Sequence, residues 1–248
     1  MKRSYWEKIA PSYDDEIFDV LQNDKRAYIV SAIRKYASPN KTVIDIGCAI
    51  GKWIPVLAPL FKKVYAVDIS VGNLKIAKQL HPQFNNVEYV RADMSGTKTK
   101  VPICDFAICI NAILSSSLKD RTVFFNSLPG SLKRGGYIVL VVPSLESYLL
   151  SSIIGNQWKI DRNILDKKIP AKIAQDKWKN IRQGNADIDN VPTKHYLKEE
   201  LSLLLANEGF EVTDIQKIEY SWTTEFLKPP KWLTDPKPWD WMALARKK

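Results

Sequence analysis

A glycine-rich turn in the sequence VIDIGCAIG, residues 43–51, carries the residues with the clearest chemical potential in this chain. Gly47 and Gly51 have no side chain, so a ligand can approach the backbone N–H groups of the turn closely. Asp45 stands just before the turn, where a site for a dinucleotide pyrophosphate would avoid negative charge. A carboxylate at this place instead suits a cationic ligand, such as an amino-acid ammonium group or a sulfonium.

Two more carboxylates follow the next two apolar runs, VYAVDIS and VEYVRAD. Asp68 ends the first run, where its two oxygens can accept both hydroxyls of a ribose. Such a contact fits any nucleoside cofactor and does not select one. Asp93 ends the second run, and the alternative that it only caps a turn stays open.

The elements that position these residues are predicted to form an α/β fold with a Rossmann-like, mostly parallel sheet and helices on both faces. Two closing strands, EVTDIQKIEYSW and WDWMALAR, are predicted to complete a seven-stranded mixed sheet as an antiparallel hairpin, with a proline-rich connection. We expect one or two helices within residues 5–36 and further helices over 51–60, 71–80, 122–132 and 196–210. The five parallel strands are expected at 42–47, 64–69, 87–93, 104–110 and 137–143.

The motif order resembles that of the class I S-adenosylmethionine-dependent methyltransferases. Their first motif is an acidic residue followed by glycine at every second position, and Ala49 replaces the middle glycine here. The resemblance implies that the chain binds S-adenosylmethionine, without a metal, and that Asn111 stands beside the methyl donor. It implies cofactor contacts from Tyr13, Asp45, Gly47, Cys48, Ala49, Gly51, Asp68, Ile69, Asp93, Met94 and Asn111.

The amino-terminal sequence YWEKIAPSYDDE resembles the segment that covers the cofactor in small-molecule methyltransferases, particularly those of quinone biosynthesis. Tyr13 is the candidate contact and Trp6 a weaker one, and both could instead be hydrophobic anchors of the first helix. Asn111 lacks the following Pro-Pro-aromatic sequence with which nucleic-acid amine methyltransferases hold a flipped base. The acceptor is therefore expected to be a small molecule.

Methyl transfer is a direct displacement that needs no covalent intermediate, although an oxygen or nitrogen acceptor can require a base. The chain has two histidines, His81 and His195. His81 is expected to lie far from the donor. His195 is the candidate base, with a packing or capping role as the open alternative.

A basic segment gives the chain much of its net charge of +10. Between residues 156 and 182, eight lysines and arginines face three aspartates. A solvated surface and a docking surface for an anionic partner both fit, so an RNA methyltransferase remains an alternative. An NAD-dependent oxidoreductase is a remote alternative, which Asp45 in the turn opposes, and a protein that binds the cofactor without catalysis stays open.

The chain is predicted to be one cytoplasmic methyltransferase domain, 1–248. Residues 1–40 form an amino-terminal helical lid, 41–143 the cofactor-binding core, 144–193 an insertion covering the substrate region, and 194–248 the last helix and closing strands. We expect the apolar residues of the insertion, Ile153, Ile154, Trp158, Ile160, Ile164 and Leu165, to point inward. No run reaches the length of a membrane span, no secretory signal is evident, and the three cysteines are expected to be reduced, with Cys104 and Cys109 on opposite strand faces. Neither the acceptor nor the oligomeric state follows from the sequence.

Overall fold

The computed structural model describes residues 3–13, 18–97, 99–161, 180–188 and 191–248. Its centre is a seven-stranded sheet. The five strands predicted before residue 144 are confirmed and run parallel to one another. They are β1 (Thr42–Ile46), β2 (Lys63–Asp68), β3 (Val87–Arg91), β4 (Cys104–Ile110) and β5 (Leu132–Pro143).

The last two strands of the sheet are β8 (Phe210–Glu219) and β9 (Trp239–Lys247). β9 pairs antiparallel with β5 on one side and with β8 on the other, which confirms the predicted closing hairpin. Because β9 runs against its neighbours, it starts at the edge where the parallel strands end. The proline-rich connection from β8 to β9 therefore leaves and rejoins the sheet at its carboxyl edge.

The described helices alternate with the strands as the sequence predicts. The helix predicted over 71–80 is confirmed at both ends, whereas the one predicted over 51–60 is reduced to four residues, because a glycine turn precedes it and Pro59 follows. The amino-terminal segment holds three described helices where one or two were predicted. The helices are α1 (Arg3–Ile9), α2 (Val20–Asn23), α3 (Tyr28–Tyr36), α4 (Ile54–Leu57), α5 (Val71–Leu80), α6 (Leu118–Ser127), α7 (Leu145–Asp161) and α8 (Lys198–Asn207).

Both faces of the sheet are covered, so its central strands are apolar on both sides. On β1, Ile44 and Ile46 pack on one face with α6 and α8, and Val43 packs on the other with α3 and α4. All three are fully buried. A parallel sheet buried in this way reads as a nearly continuous apolar run, which is why these strands are recognisable in the sequence.

The insertion, residues 144–193, contains more regular structure than its sequence indicates. Its sequence has no strand pattern and only weak helical periodicity, but it contains α7 and a two-stranded sheet of β6 (Asn185–Ile188) and β7 (Val191–Lys194). The buried face of α7 includes Ser147, Ser151 and Gly155, which are too small and polar to produce an apolar period. The strands are short and largely polar, and they pair with each other outside the main sheet.

The expectation that the apolar residues of the insertion point inward is wrong for Ile153, whose exposed fraction is 66%. Ile154 is half-buried. The side chains of Trp158 and Ile160, and the residues Ile164 and Leu165, lie outside the described part of the chain, as does most of the basic segment. The direction in which that segment faces therefore stays a prediction.

The three cysteines are free and buried, as predicted. Cys104 and Cys109 lie in the same core cluster, so the prediction that they face opposite sides of a strand is wrong. A register shift in β4 between Cys104 and Phe106 changes the alternation of side chains. Among the described residues, no helix is long and apolar enough to cross a membrane and no cluster of three or more acidic, histidine or cysteine side chains is placed to hold a metal ion.

Candidate functional site

Two adjoining pockets open at the carboxyl edge of the sheet, where ligands bind in open α/β folds. The inner pocket lies against the ends of β2 and β3, and its lining includes Asp68, Ile69, Asp93 and Met94. The outer cavity has a volume of about 720 Å³, and its lining includes Asp45, Cys48, Lys52 and Trp53. The two share the residues Trp6, Tyr13, Gly47, Ala49, Asn111 and Leu114.

The glycine turn forms the floor between the two pockets. Gly47 has a φ of 76°, and a Cβ atom there would lie 2.5 Å from the Cβ of Ala112 in the loop after β4. Gly51 has a φ of 83° and lies against Ile54, Ala77 and His81. It lines neither pocket. The absence of a side chain at Gly47 therefore allows the loop after β4 to pack against the turn beside the pockets, whereas Gly51 allows the turn to pack against α5.

Ala49 stands where the methyltransferase motif has its middle glycine, and it adopts the left-handed conformation with a φ of 48°. This conformation costs a non-glycine residue about 1 to 2 kcal/mol. Its N–H donates to Asp68 Oδ2 at 2.9 Å, which holds the residue in place. The turn thus contains a non-glycine residue in the left-handed conformation, at some cost in strain.

Asp45 is the most unusual titratable group of the site. Its side chain is buried, and its Oδ2 has no hydrogen-bond partner within the described chain. Burial, with a smaller effect of the Asp68 carboxylate, raises the pKa of Asp45 to about 8. A cationic group in the adjoining cavity would lower the pKa of Asp45 again, because an opposite charge favours the ionised carboxylate.

Asp68 organises the wall of the inner pocket. Besides the bond from Ala49, it accepts hydrogen bonds from the N–H of Ser70 at 2.8 Å and from Asn73 Nδ2 at 3.4 Å. Burial raises the pKa of Asp68, while these hydrogen bonds act in the opposite direction. Its oxygens thus already have protein partners, and a ribose hydroxyl would share them.

The end of β3 supplies the far side of the inner pocket. Asp93 is exposed and accepts a hydrogen bond from the N–H of Ser95 at 2.9 Å, so it caps the turn and borders the pocket at once. Met94 is buried, and Ile69 faces it from the end of β2. Apolar side chains on both sides suit a planar, largely apolar ligand group such as a purine ring.

Asn111 stands between the two pockets, with a left-handed φ of 49° at the end of β4. Its Nδ2 donates to Asp240 Oδ2 at 3.0 Å, and Asp240 Oδ1 accepts from the Tyr220 hydroxyl at 3.3 Å. Burial raises the pKa of Asp240 to about 6, so the group is largely ionised at neutral pH. The Asp240 carboxylate fixes the orientation of the Asn111 amide, because it accepts from Nδ2. Asn111 Oδ1 is buried and has no hydrogen-bond partner within the described chain.

Three buried oxygens around these pockets, Asp45 Oδ2, Asn73 Oδ1 and Asn111 Oδ1, have no hydrogen-bond partner within the described chain. All three are acceptors when Asp45 is ionised, and leaving such a group unpaired costs about 1 to 3 kcal/mol. The site therefore fits a ligand that carries several N–H or O–H donors and a positive charge. S-adenosylmethionine, with its ammonium, sulfonium, ribose hydroxyls and adenine amine, has this set of groups.

Residues 44–140 match the family described as "Methyltransferase domain". The matched range runs from β1 to β5 and contains the glycine turn and the ends of the first four strands. The part of the chain from β1 to β5 therefore matches a methyltransferase domain. The main sheet has the strand order β3-β2-β1-β4-β5-β9-β8, with β9 antiparallel to both of its neighbours, and the fold is similar to that of solved SAM-dependent methyltransferases.

A structure of a SAM-dependent methyltransferase from Methanosarcina mazei aligns with a TM-score of 0.60 at 19% identity, covering 87% of this chain and 96% of that one. Magnesium protoporphyrin IX methyltransferase from Synechocystis, with bound S-adenosylhomocysteine, aligns with a TM-score of 0.62 at 14% identity, covering 99% and 98%. The N-methyltransferase NodS from Bradyrhizobium japonicum, also with S-adenosylhomocysteine, gives 0.62 at 12% identity, covering 99% and 97%. At these identities the likeness establishes the fold.

A curated relative, phosphoethanolamine N-methyltransferase 1 of Zea mays, is 23% identical over 145 residues. The match covers 55% of this chain and 28% of the maize enzyme. The chain thus spans well under half the length of this relative.

Neither histidine of the chain lines the two pockets. His81 follows α5 and lies behind the glycine turn, near Gly51. His195 is buried, its Nδ1 is 3.1 Å from the Thr193 carbonyl oxygen, and burial lowers its pKa to about 4. This placement favours the packing role that was the alternative for His195.

The sequence did not indicate Glu7, Asn73 or Asp240 as part of the site. Asn73 lies five residues after Asp68, in the first turn of α5, a spacing that could have indicated it. Asp240 is 129 positions from its partner Asn111, and nothing local to either residue predicts the contact. Glu7 reaches α5 from the amino-terminal helix, again through tertiary structure alone.

Glu7 attaches the amino-terminal helix α1 to the start of α5, beside the inner pocket. Its two carboxylate oxygens accept from the N–H groups of Val71 at 2.9 Å and Gly72 at 3.0 Å, at the start of α5. The bond from Val71, followed by that from Gly72, lowers the pKa of Glu7. Trp6 and Tyr13, which line both pockets, lie on either side of this attachment.

Replacing Glu7 with alanine is expected to lower the free energy of unfolding by about 1 kcal/mol, because two helix N–H groups lose a charged acceptor. Amide hydrogen exchange at Val71 and Gly72 should become faster. The stabilisation by Glu7 is present above the unfolded pKa and is lost as the pH falls through the lowered folded pKa. Arg3→Ala is the control, since it removes the ion pair of Arg3 with Glu7 at 3.4 Å and leaves the Glu7 carboxylate in place. Equal exchange in the two variants would contradict the attachment.

Proposed function

We propose that this protein transfers a methyl group from S-adenosylmethionine to a small-molecule acceptor bound in the outer cavity. The observation that carries the proposal is the set of three unpaired buried oxygens, on Asp45, Asn73 and Asn111, around two adjoining pockets. A cofactor with a cationic end and several donors satisfies all three. NAD, the remote alternative, would bring its pyrophosphate charge close to Asp45.

In this proposal Asp68 binds the ribose hydroxyls, while Asp93 and Met94 bind the adenine. Asp45 and the N–H groups of the turn hold the amino-acid end. Ile69, Cys48 and Tyr13 supply surrounding contacts, and Gly51 supports the turn from behind.

S-adenosylmethionine supplies a methyl group already activated by the sulfonium, so the protein has mainly to align the acceptor and exclude water. Asn111 stands at the junction of the pockets, where its Oδ1 can accept a hydrogen bond from the acceptor or from the ammonium. Tyr13 and Trp6 border both pockets and shield the junction from solvent. A proton released by the acceptor would pass to water or to a group of the acceptor itself, because neither histidine lines the pockets.

The insertion supports the proposal that the methyl acceptor binds in the outer cavity. Ile188, Val191 and Thr193 of the β6 and β7 hairpin line the outer cavity, and Lys194 N–H donates to the Leu114 carbonyl oxygen at 3.0 Å. The cavity volume of about 720 Å³ lies in the range of small-molecule sites. A magnesium protoporphyrin, a phosphoethanolamine and an N-methyl acceptor, as named for the similar proteins, are acceptor types of this kind. RNA methylation is the alternative that the undescribed basic segment leaves open, and the cytoplasmic location stays a prediction.

Calorimetric titration with S-adenosylhomocysteine and with NAD tests the cofactor. S-adenosylhomocysteine is expected to bind and NAD to show no heat of binding. Asp68→Asn should weaken S-adenosylhomocysteine binding roughly ten- to a hundredfold, because a charged acceptor is worth about 1.5 to 3 kcal/mol. Asp214→Asn, on the exposed part of β8, is the matched control. Unchanged affinity in Asp68→Asn, or binding of NAD instead, would overturn the proposal.

A further inference from the structure

The connection between β8 and β9 presents two large apolar side chains to solvent. Leu227 has an exposed fraction of 101% and Trp232 of 68%. Their neighbours occupy the inward positions: Phe226 stacks on Trp222 with ring centroids 5.7 Å apart, and Leu233 is buried. Because Phe226 and Leu233 take the inward places, Leu227 and Trp232 are directed outward.

This connection, residues 226–238, is held by backbone hydrogen bonds. Phe226 N–H donates to the Trp222 carbonyl oxygen at 2.9 Å, Leu233 N–H to that of Pro230 at 3.0 Å, and Thr234 N–H to that of Trp232 at 3.1 Å. The prolines at 229, 230, 236 and 238 restrict the backbone further. The two apolar side chains are thus presented from an ordered surface. We call residues 226–238 the apolar-basic loop.

Basic side chains surround the exposed pair. Lys228, Lys231 and Lys237 are exposed on the loop, against a single acidic residue there, Asp235. A neighbouring cavity of about 610 Å³ adds Lys25, Arg26 and Lys217.

The acidic residues of that cavity are largely committed to other contacts. Asp24 accepts hydrogen bonds from the N–H groups of Tyr28 and Ile29, each at 2.9 Å, and Glu219 pairs with Arg26 at 3.0 Å. The loop and the cavity together carry six basic side chains against three acidic ones, so this face has a net positive charge; they are Lys25, Arg26, Lys217, Lys228, Lys231 and Lys237 against Asp24, Glu219 and Asp235. An anionic partner is therefore favoured over a neutral or cationic one.

We propose that the apolar-basic loop docks the protein on the surface of an anionic phospholipid bilayer. Trp232 and Leu227 enter the interfacial region, where tryptophan side chains are favoured, and the lysines reach the phosphate and carboxylate groups of the lipids. A fluid lipid surface accepts two separate protruding side chains without a matching groove. Single-stranded RNA would instead need several aromatic rings to stack its bases, and Leu227 offers none.

The location of the loop gives this docking a direction. β8 ends and β9 begins at the carboxyl edge of the sheet, which is also where the two pockets open. Docking through the apolar-basic loop therefore turns the pocket edge of the sheet toward the bilayer. The docking itself does not depend on the proposed methyl transfer.

Co-sedimentation with vesicles of pure phosphatidylcholine and of a 70:30 mixture of phosphatidylcholine and phosphatidylserine tests the proposal. The wild-type protein is expected to bind the mixed vesicles, less strongly as salt is raised, and to bind the neutral vesicles at least about tenfold more weakly. The double variant Lys228→Glu, Lys231→Glu and the double variant Leu227→Ser, Trp232→Ala should each lose at least about tenfold in partition to the mixed vesicles.

Matched controls separate the loop from general surface properties. Lys75→Glu with Lys78→Glu on α5 changes the net charge equally, and Leu203→Ser removes another exposed leucine. These controls should bind like the wild type. Retained binding of S-adenosylhomocysteine and an unchanged melting temperature show that the loop variants are folded, and vesicle binding is read independently of cofactor binding.

Three outcomes would overturn the proposal: equal binding to neutral and anionic vesicles, equal loss in the control double variant and the loop variants, or no vesicle binding by the wild type. Salt-sensitive binding of a single-stranded RNA that is lost in the lysine variant, without vesicle binding, would assign the loop to RNA instead.

Discussion

Replacing Asp45 with asparagine is expected to stabilise the unliganded protein and, at the same time, to weaken its binding of S-adenosylmethionine. Asp45 is buried without a partner for Oδ2, and burial raises its pKa to about 8. At pH 7 the folded protein must hold a proton that the unfolded chain has released. This proton uptake costs on the order of 2 to 4 kcal/mol of stability, which the neutral asparagine avoids.

The sign of this effect gives it a pH dependence. Between the unfolded pKa of about 4 and the folded value near 8, the folded state binds more protons at Asp45, so the wild type loses stability as the pH rises. The free energy of unfolding of Asp45→Asn should therefore exceed that of the wild type by little at pH 4 and by most above pH 8. Urea denaturation at pH 5, 7 and 8.5 measures the difference.

Ligand binding should change in the opposite direction. An ammonium group beside Asp45 favours its ionised form, so binding at pH 7 should release about one proton from the wild type and none from Asp45→Asn. The variant should bind about ten- to a hundredfold more weakly. Titrations in buffers of different ionisation enthalpy measure both quantities. A variant that is less stable than the wild type at pH 8.5, or that binds equally well, would contradict the assignment of Asp45.

The second large effect is expected at Gly47. An alanine there would place its Cβ 2.5 Å from that of Ala112 and hold a left-handed φ of 76°. Left-handed strain costs about 1 to 2 kcal/mol and overpacking about 1 to 3 kcal/mol more, so the free energy of unfolding should fall by about 2 to 5 kcal/mol. The loop that carries Ala112 and Asn111 lines the inner pocket. Its displacement should weaken S-adenosylhomocysteine binding by at least about a hundredfold, measured by calorimetry.

Alanine variants at two other glycines distinguish the cost of backbone strain from the cost of overpacking. Gly209 has a φ of 80° with open space around it, so Gly209→Ala should show the strain alone. Gly130 has neither a left-handed φ nor a close neighbour, and Gly130→Ala should change stability by at most about 0.5 kcal/mol. The double variant Gly47→Ala, Ala112→Gly should recover the part of the free energy of unfolding that overpacking removes. If Gly47→Ala behaves like Gly209→Ala, the close approach of the two chain segments is wrong.

Much of the cofactor half of the site could be predicted because its residues follow each strand directly. In VIDIGCAIG and VYAVDIS, the candidate site residue lies at the end of an apolar strand. Parallel strands end at the same edge of the sheet. Asp45, Gly47 and Asp68 therefore come together as soon as β1 and β2 pair. The local pattern and the topology of the sheet are enough to place them.

In the insertion, such local patterns do not predict the structure. The serines and glycine on the buried face of α7 conceal the helix, because close packing rather than apolar character places that face inward. The prolines around Leu227 and Trp232 predict a loop, but they do not show which of its apolar side chains are exposed. The exposure of Leu227 and Trp232 follows from Phe226 and Leu233 taking the inward positions.

The succession of strands along the chain, the glycine turn and the acidic residues at the strand ends could be read from the sequence, since each depends on neighbours a few positions away. The pairing of Asn111 with Asp240, the attachment of Glu7 to α5 and the unpaired state of Asp45 emerge only in the folded chain. These features depend on burial and on contacts between segments 64 to 129 positions apart. Burial sets the free energy of a charge, and no local pattern of residues encodes how deeply the folded chain will bury it.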